Sequence, residues 1–182
     1  DLSRFAGRVL MRMRNFGYKG RVYPVNPRFQ SVHDLKCYGS IRDLPEPVDH
    51  VGIVVPADRV MGILEDCAAN RTRFATVYTG GFAESGTPDG KRMQADLVSF
   101  ARGAGMRVMG PNCNGMISFV DGFAMTTSAT IAGPRKSPGN IGVVSQSGGA
   151  GQTNVMWRAQ ELGLGISYQV SCGNSADLNI LD

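Results

Sequence analysis

Residues 145–149 read Ser-Gln-Ser-Gly-Gly and follow directly on the apolar run 141–144. Two hydroxyls and two glycines at such a point suit a nucleophile, a phosphate cradle or a plain turn. A nucleophilic elbow needs G-x-S-x-G, and Ser145 stands where the first glycine belongs. A hydrolase also needs a base, yet the two histidines, His33 in a polar loop and His50 at the start of a buried run, read as structural or incidental. A Walker loop needs G-x-x-x-x-G-K-[ST], which is absent, and Gly149 and Gly151 supply half of G-x-G-x-x-G. Two readings remain. In the first, Ser145, Ser147, Gly148 and Gly149 bind a phosphate at a helix N-terminus, where free N–H groups and the helix dipole favour negative charge. In the second the stretch is a strand-to-helix turn with a serine cap. The first is preferred.

Other ligand loops follow from the same geometry, because open α/β sheets bind ligands at the carboxyl ends of their strands. Apolar runs end in VNPR (25–28), VVPAD (54–58), TGGFAE (79–84) and GPNCNG (110–115). Small residues and prolines dominate these ends and shape a backbone that a ligand can approach closely. A nicotinamide dinucleotide site calls for an acidic residue after the second strand, to hold the ribose. This chain has Asn26 and Arg28 there. An arginine suits a ribose bearing a phosphate, as in coenzyme A or NADP; an ordinary surface arginine is the equal alternative. Arg4, Arg8 and Arg12 form a stripe at i, i+4 spacing that reads as a solvated basic face.

The elements that must position these loops are short, Val- and Ile-rich strands at 21–25, 51–55, 74–78, 106–109, 141–144 and 166–170. Helical patterns lie between most of them. Residues 57–69 align Val60, Ile63, Leu64 and Cys67, and residues 90–104 align Met93, Leu97 and Phe100. Alternating strands and helical crossovers define an α/β fold with a parallel sheet. A helix at 5–15, with Phe5, Val9, Leu10 and Met13 on one side and Gly17 as its stop, comes before any strand. The expectation is that the first strand lies ahead of Asp1 and that the sequence opens inside the first β-to-α turn. DLNILD at 177–182 reads as the opening of a helix. Residues 121–139 are rich in Gly, Pro, Ser and Thr with little helical period, and a fresh strand follows them. The expected division is therefore one domain over 1–125, a linker over 126–139 and the start of a second domain over 140–182.

Composition bounds the function. The chain has 182 residues, 42% hydrophobic and 19% charged, which is ordinary for a globular protein. No apolar run nears the ~20 residues of a membrane span, and no charged-then-apolar leader opens the sequence. Four scattered cysteines without a CxxC pair read as reduced thiols, neither disulfides nor metal ligands. A net charge of +4 fits a polyanionic small ligand or nucleic acid and does not choose between them.

The motifs VYPVNP, PEPVDHVGIVVPA, GGFAE, GPNCNG, PGNIGVVSQSGG and SCGN, in that order, resemble the NDP-forming acyl-CoA synthetases, relatives of the succinyl-CoA ligase α subunit. The resemblance covers essentially the whole chain. It implies a Rossmann-like, parallel-sheet CoA-binding domain followed by the beginning of a flavodoxin-like ligase domain. In that family ATP or GTP with Mg2+ and a carboxylic acid give an acyl phosphate by way of a phosphohistidine, and CoA then attacks. The resemblance implies that Asn26, Pro27, Arg28, Val55 and Pro56 line the CoA nucleotide and that Asn112 and Cys113 lie near the thiol. Cys113 is a packing residue, because the attacking sulfur belongs to CoA. Ser145, Ser147, Gly148 and Gly149 would receive the travelling phosphoryl group. Glu84 matches the family pattern and would order a loop or meet a partner chain. The resemblance leaves no catalytic residue and no metal ligand within 1–182. The phosphorylated histidine is expected downstream, and the nucleotide goes to an ATP-grasp subunit or domain. A cytoplasmic homo- or hetero-oligomer, free of membrane and nucleic acid, is the implied setting. Two alternatives stay open: an inactive CoA-ligase-like regulatory module fused to an acetyltransferase, and an NADP-binding module. The acid substrate is not legible.

Overall fold

The computed structural model describes residues 5–128, 131 and 137–182. Helix α1 (Phe5–Asn15) has the expected bounds. It stops as glycine allows: Gly17 takes φ +81°, its N–H reaches the Arg14 carbonyl at 3.1 Å, and Tyr18 N–H reaches Met13 at 3.2 Å. Met13 and Phe16 are buried, and Phe16 meets Phe119 edge-on at 5.1 Å. Arg4 of the basic stripe lies outside the described residues. Arg12 corrects the reading of that stripe as a solvated face. Its guanidinium is half-buried and donates to the Thr126 carbonyl at 3.3 Å.

Residues 21–25 do not form the expected strand. They make a single bridge, Val25 to Tyr38, flanked by Asn26 N–H to Tyr38 C=O at 2.8 Å and Tyr38 N–H to Pro24 C=O at 2.9 Å. Pro24 has no N–H to give, and no described strand lies beside residues 21–23 to complete a ladder. A hairpin too short for any apolar pattern follows, β1 (Ser31–Val32) with β2 (Leu35–Lys36). His33 at φ +52° and Asp34 at φ +64° turn it, the double positive φ that a two-residue hairpin requires.

The first main sheet is parallel, in the order β3 (His50–Ile53), β4 (Phe74–Val77), β5 (Arg107–Met109). Helices α2 (Ala57–Ala69) and α3 (Pro88–Gly103) make the crossovers. Thr87 caps α3 by accepting from Gly90 N–H at 3.0 Å, and Pro88 takes the first helical position. Val60, Leu64 and Cys67 of α2 and Leu97 and Ala101 of α3 join Ile53, Ala75, Val77 and Val108 in one apolar core.

The second sheet runs β7-β6-β9-β8. Its strands are β6 (Gly115–Ser118), β7 (Phe123–Thr126), β8 (Ile141–Ser145) and β9 (Ile166–Ser171). β8 and β9 are parallel, whereas β6 pairs antiparallel with both β7 and β9. The β6–β7 hairpin answers to no apolar run, because Ser118 and Thr126 are buried beside Ile117 and Ala124. The sheet therefore takes two strands from before residue 127 and two from after residue 140.

The two sheets meet through the hairpin. His50 on β3 bonds Thr76 at 2.7 Å and stacks on Phe123 of β7 at 6.1 Å. Tyr78 donates to the Met125 carbonyl at 2.6 Å. Residues 177–182 form a turn in place of the expected helix opening: Asp182 accepts from the Asn179 N–H at 3.0 Å, and Leu181 N–H reaches the Asn179 side chain at 2.9 Å. All four cysteines are free and buried. No helix among the described residues is long and apolar enough to cross a membrane.

Candidate functional site

At the carboxyl edge of the first sheet, VVPA and TGGFAE lie side by side. The Thr79 hydroxyl donates to the Val55 carbonyl at 2.6 Å, and a Cβ on Gly81 would stand 3.5 Å from that of Ala57. Pro56 is exposed at the start of α2, and among the described residues no side chain caps that helix, so its first-turn amides have no side-chain acceptor there. Beside them Asn112 is exposed in the left-handed region at φ +56°, tied by its N–H to the Thr79 carbonyl at 3.0 Å. Cys113 points inward, its Sγ 3.5 Å from the Val77 carbonyl. Burial pushes its thiol up to about 12, so it stays protonated at neutral pH and packs as a small apolar group.

At the edge of the second sheet, Ser147 caps the helical segment that begins at Gly148, accepting from Ala150 N–H at 3.0 Å. The first turn is wide: Gln152 N–H reaches back five residues to the Ser147 carbonyl at 3.1 Å. This π-type segment (Gly148–Asn154) runs straight into α4 (Val155–Glu161). The Gly148 and Gly149 amides, being first-turn donors, have no acceptor within the helix. Ser145 Oγ donates to the Ser147 carbonyl at 3.1 Å. The cap does not exhaust the hydroxyl, since the Ser147 oxygen takes an amide and its own proton remains to give.

The two edges are joined. Asn114 Nδ2 donates to the Gly148 carbonyl at 3.3 Å, and Asn114 N–H donates to Ser171 Oγ at 3.2 Å. A Cβ on Gly148 would sit 2.5 Å from Asn114 Cβ, so this approach needs glycine. The SCGN loop (171–174) closes the junction. Cys172 and Gly173 donate to the Ser145 and Gln146 carbonyls at 2.8 and 3.1 Å, and Asn174 donates to Pro111 at 2.9 Å. The Asn174 side chain reaches Glu84, Gln94 and Asn112. Burial works against the Glu84 charge, but bonds from Asn174 and from the Gly81 and Phe82 amides outweigh it and hold the carboxyl below its usual range. Glu84 therefore orders its loop, one of the two roles expected of it.

Behind the junction Asp177, its side chain 0% exposed, is held by Arg102 Nε at 2.7 Å, Arg107 Nε at 3.0 Å and Val108 N–H at 2.8 Å. Desolvation pushes its carboxyl up, and these three donors more than reverse that, leaving it below the ordinary aspartate value.

VNPR stands apart. Asn26 Oδ1 accepts from Arg28 N–H at 2.9 Å, closing an Asx turn that leaves Pro27 and Arg28 exposed. Among the described residues no hydrogen bond or ion pair joins Asn26, Pro27 or Arg28 to Val55, Pro56 or the other loops. Asn114, Asn174 and Asp177 are the site residues that sequence reasoning missed. Asn114 and Asn174 sit inside GPNCNG and SCGN, which single them out as motif members, but Asp177 carries no local signal.

A parallel sheet whose carboxyl-edge loops abut those of a second, flavodoxin-like sheet defines the class of protein. Residues 1–118 match the family described as CoA binding domain, and residues 138–182 match the succinyl-CoA ligase like flavodoxin domain. The chain belongs to the CoA-binding domain family. It is 36% identical over 163 residues to the acetate–CoA ligase [ADP-forming] II subunit alpha of Pyrococcus furiosus, covering 90% of this chain and 34% of that one. It is 35% identical over 166 residues to the 4-hydroxybutyrate–CoA ligase [ADP-forming] of Nitrosopumilus maritimus, covering 91% of this chain and 23% of that one. The solved structure of a dinucleotide-forming acetyl-coenzyme A synthetase 1 from Ca. Korarchaeum cryptofilum, in complex with phosphate and ADP, superposes with a TM-score of 0.90 at 36% identity. That match covers 100% of this chain and 37% of the other. The chain spans about a third or less of the length of these relatives.

Proposed function

We propose that this chain is the CoA-binding portion of an ATP- or GTP-dependent, NDP-forming acid–CoA ligase. The observation that carries the reading is the single hydrogen-bonded junction of GGFAE, GPNCNG, SQSGG and SCGN at the carboxyl edges of two sheets. A ligase of this type must bring a thiol to an acyl phosphate, and a junction of a CoA loop with a phosphate loop fits that need. Asn26, Pro27, Arg28, Val55 and Pro56 take the nucleotide end of CoA, the uncapped start of α2 offering amides to its phosphates. Asn112 faces the pantetheine end, over the buried Cys113. Ser145, Ser147, Gly148 and Gly149 hold the phosphoryl group, where preorganised donors stabilise charge without reorganisation. The phosphohistidine and the ATP-grasp subunit or domain that handles nucleotide and Mg2+ belong to the rest of a cytoplasmic protein. The domain division at 125 and 140 is part of this reading, with the β6–β7 hairpin at the end of the first domain lending two strands to the second sheet.

The test is calorimetric titration of CoA into the full-length protein and its Arg28→Ala variant, with NADP as competitor. Micromolar CoA binding that weakens about tenfold in the variant, roughly 1.4 kcal/mol, and ignores NADP is expected. A folded protein that binds no CoA contradicts the reading.

A further inference from the structure

Asn174 sits where the loops meet, and all of its amide is used. Nδ2 donates to Glu84 Oε2 and to Gln94 Oε1 (2.9 Å), while Oδ1 accepts from Asn112 Nδ2 (3.4 Å). The other Glu84 oxygen accepts from the amides of Gly81 (2.5 Å) and Phe82 (3.3 Å). The backbone is committed as well, with Asn174 N–H on the Pro111 carbonyl and Gly173 N–H on that of Gln146. Gly173 takes φ +58°, and a Cβ there would stand 2.3 Å from the Pro111 oxygen. This one side chain reaches the GGFAE loop, α3 and GPNCNG, while its own loop holds SQSGG.

We propose that Asn174 is a positioning residue: through Glu84 and Asn112 it fixes how the thiol end of bound CoA faces the phosphate loop at Ser145–Gly149. This rests on the CoA-ligase reading above. The physical ground is that the two loops belong to different sheets, and a misplacement of about 1 Å between reacting groups costs up to ~100-fold in rate. The Glu84 carboxylate makes the charge-assisted bond in the set. It decides which way the Asn174 amide points, and so which atom meets Asn112.

A donor–acceptor exchange tests this directly. Asn174→Asp alone sets two carboxylates face to face. Adding Glu84→Gln restores the pair in reverse: the nitrogen now on residue 84 donates to the carboxylate now on residue 174, and its oxygen still accepts from Gly81 and Phe82. Acyl-CoA formation from ATP or GTP, CoA and acetate, or the best acid of a panel led by acetate, is measured in the full-length protein together with its ATP-grasp subunit where that is a separate chain, alongside calorimetric CoA affinity. Asn174→Asp is expected to lower kcat by ~10–100-fold with CoA affinity held within about threefold, and the double variant to recover ~10-fold or more. A double variant no faster than Asn174→Asp, in a wild type that binds and turns over CoA, overturns the positioning role alone. A wild type that binds no CoA, or binds it without turnover, overturns the ligase reading and this role with it. Should Asn174→Asp not fold, Glu84→Gln on its exposed loop carries the test, with an expected loss in kcat of roughly three- to tenfold; an unchanged kcat overturns the proposal.

Discussion

The two sheets are held by different means. Between β3–β5 and their helices the interior is apolar: Leu64, Val77, Leu97 and Met106 are fully buried and need no polar partner. Inside β6–β9 the fully buried side chains include Gln152 and Gln169. Gln152 Nε2 donates to the Gly115 carbonyl at 3.1 Å and its oxygen accepts from Thr126 at 3.3 Å, while Gln169 Nε2 donates to the Gln152 carbonyl at 2.6 Å. The first region tolerates small shifts, because apolar packing has no direction. The second fixes angles as well as distances. A rigid frame of that kind suits the phosphate role proposed for the loop at Ser145–Gly149.

The comparison breaks first at Leu64→Ala, which leaves a cavity in the dry core and is expected to lower unfolding stability by ~2–5 kcal/mol in denaturant titration. A loss below ~1 kcal/mol would mean that the first core is as adaptable as a surface. The seam between the sheets gives the next effect. Burial lowers the pKa of His50 to about 4. Between pH 6.5 and 4 the unfolded chain therefore takes up a proton that the folded chain refuses. Stability is complete above the ordinary histidine value of ~6.5, and roughly 3 kcal/mol is lost as pH falls through that window. His50→Gln, which keeps a polar partner for Thr76, is expected to flatten the window in thermal melts against pH. Gln152→Leu is the smallest change and the sharpest, because it removes both side-chain bonds of a buried amide, to the Gly115 carbonyl and from Thr126, at nearly constant volume, while Thr126 keeps its bond to the Asn114 carbonyl at 2.6 Å. A loss of ~0.5–1.5 kcal/mol is expected, whereas a neutral result would make the second interior apolar in effect and erase the contrast.

The same contrast explains what the sequence disclosed. β3, β4, β5, β8 and β9 were legible because their runs are apolar, and α2 because Val60, Leu64 and Cys67 keep helical spacing. The β6–β7 hairpin was not, since its buried Ser118 and Thr126 look like surface residues until their partners are known. Residues 21–25 misled for the opposite reason. Their composition suits a strand, but a strand is a pairing, and the bridge at Tyr38 is the only pairing they make among the described residues. The loop motifs were readable as small-residue clusters in order. Their joining through Asn174 was not, because Glu84 lies 90 residues away and Asn112 62. Asp177 is hidden likewise: its arginine partners are 75 and 70 residues distant.

The central claim, that the loops at the two carboxyl edges form one CoA and phosphoryl site, is met most directly by hydrogen exchange of the full-length protein with and without CoA. Slowed exchange of amides in 54–58, 79–84 and 110–114, with a smaller effect at 145–149, is the result the account predicts. Protection confined to the 460 Å³ groove between α1 and the β1–β2 hairpin, lined by Leu10, Met13, Tyr23 and Leu35, would put CoA on another face and contradict it.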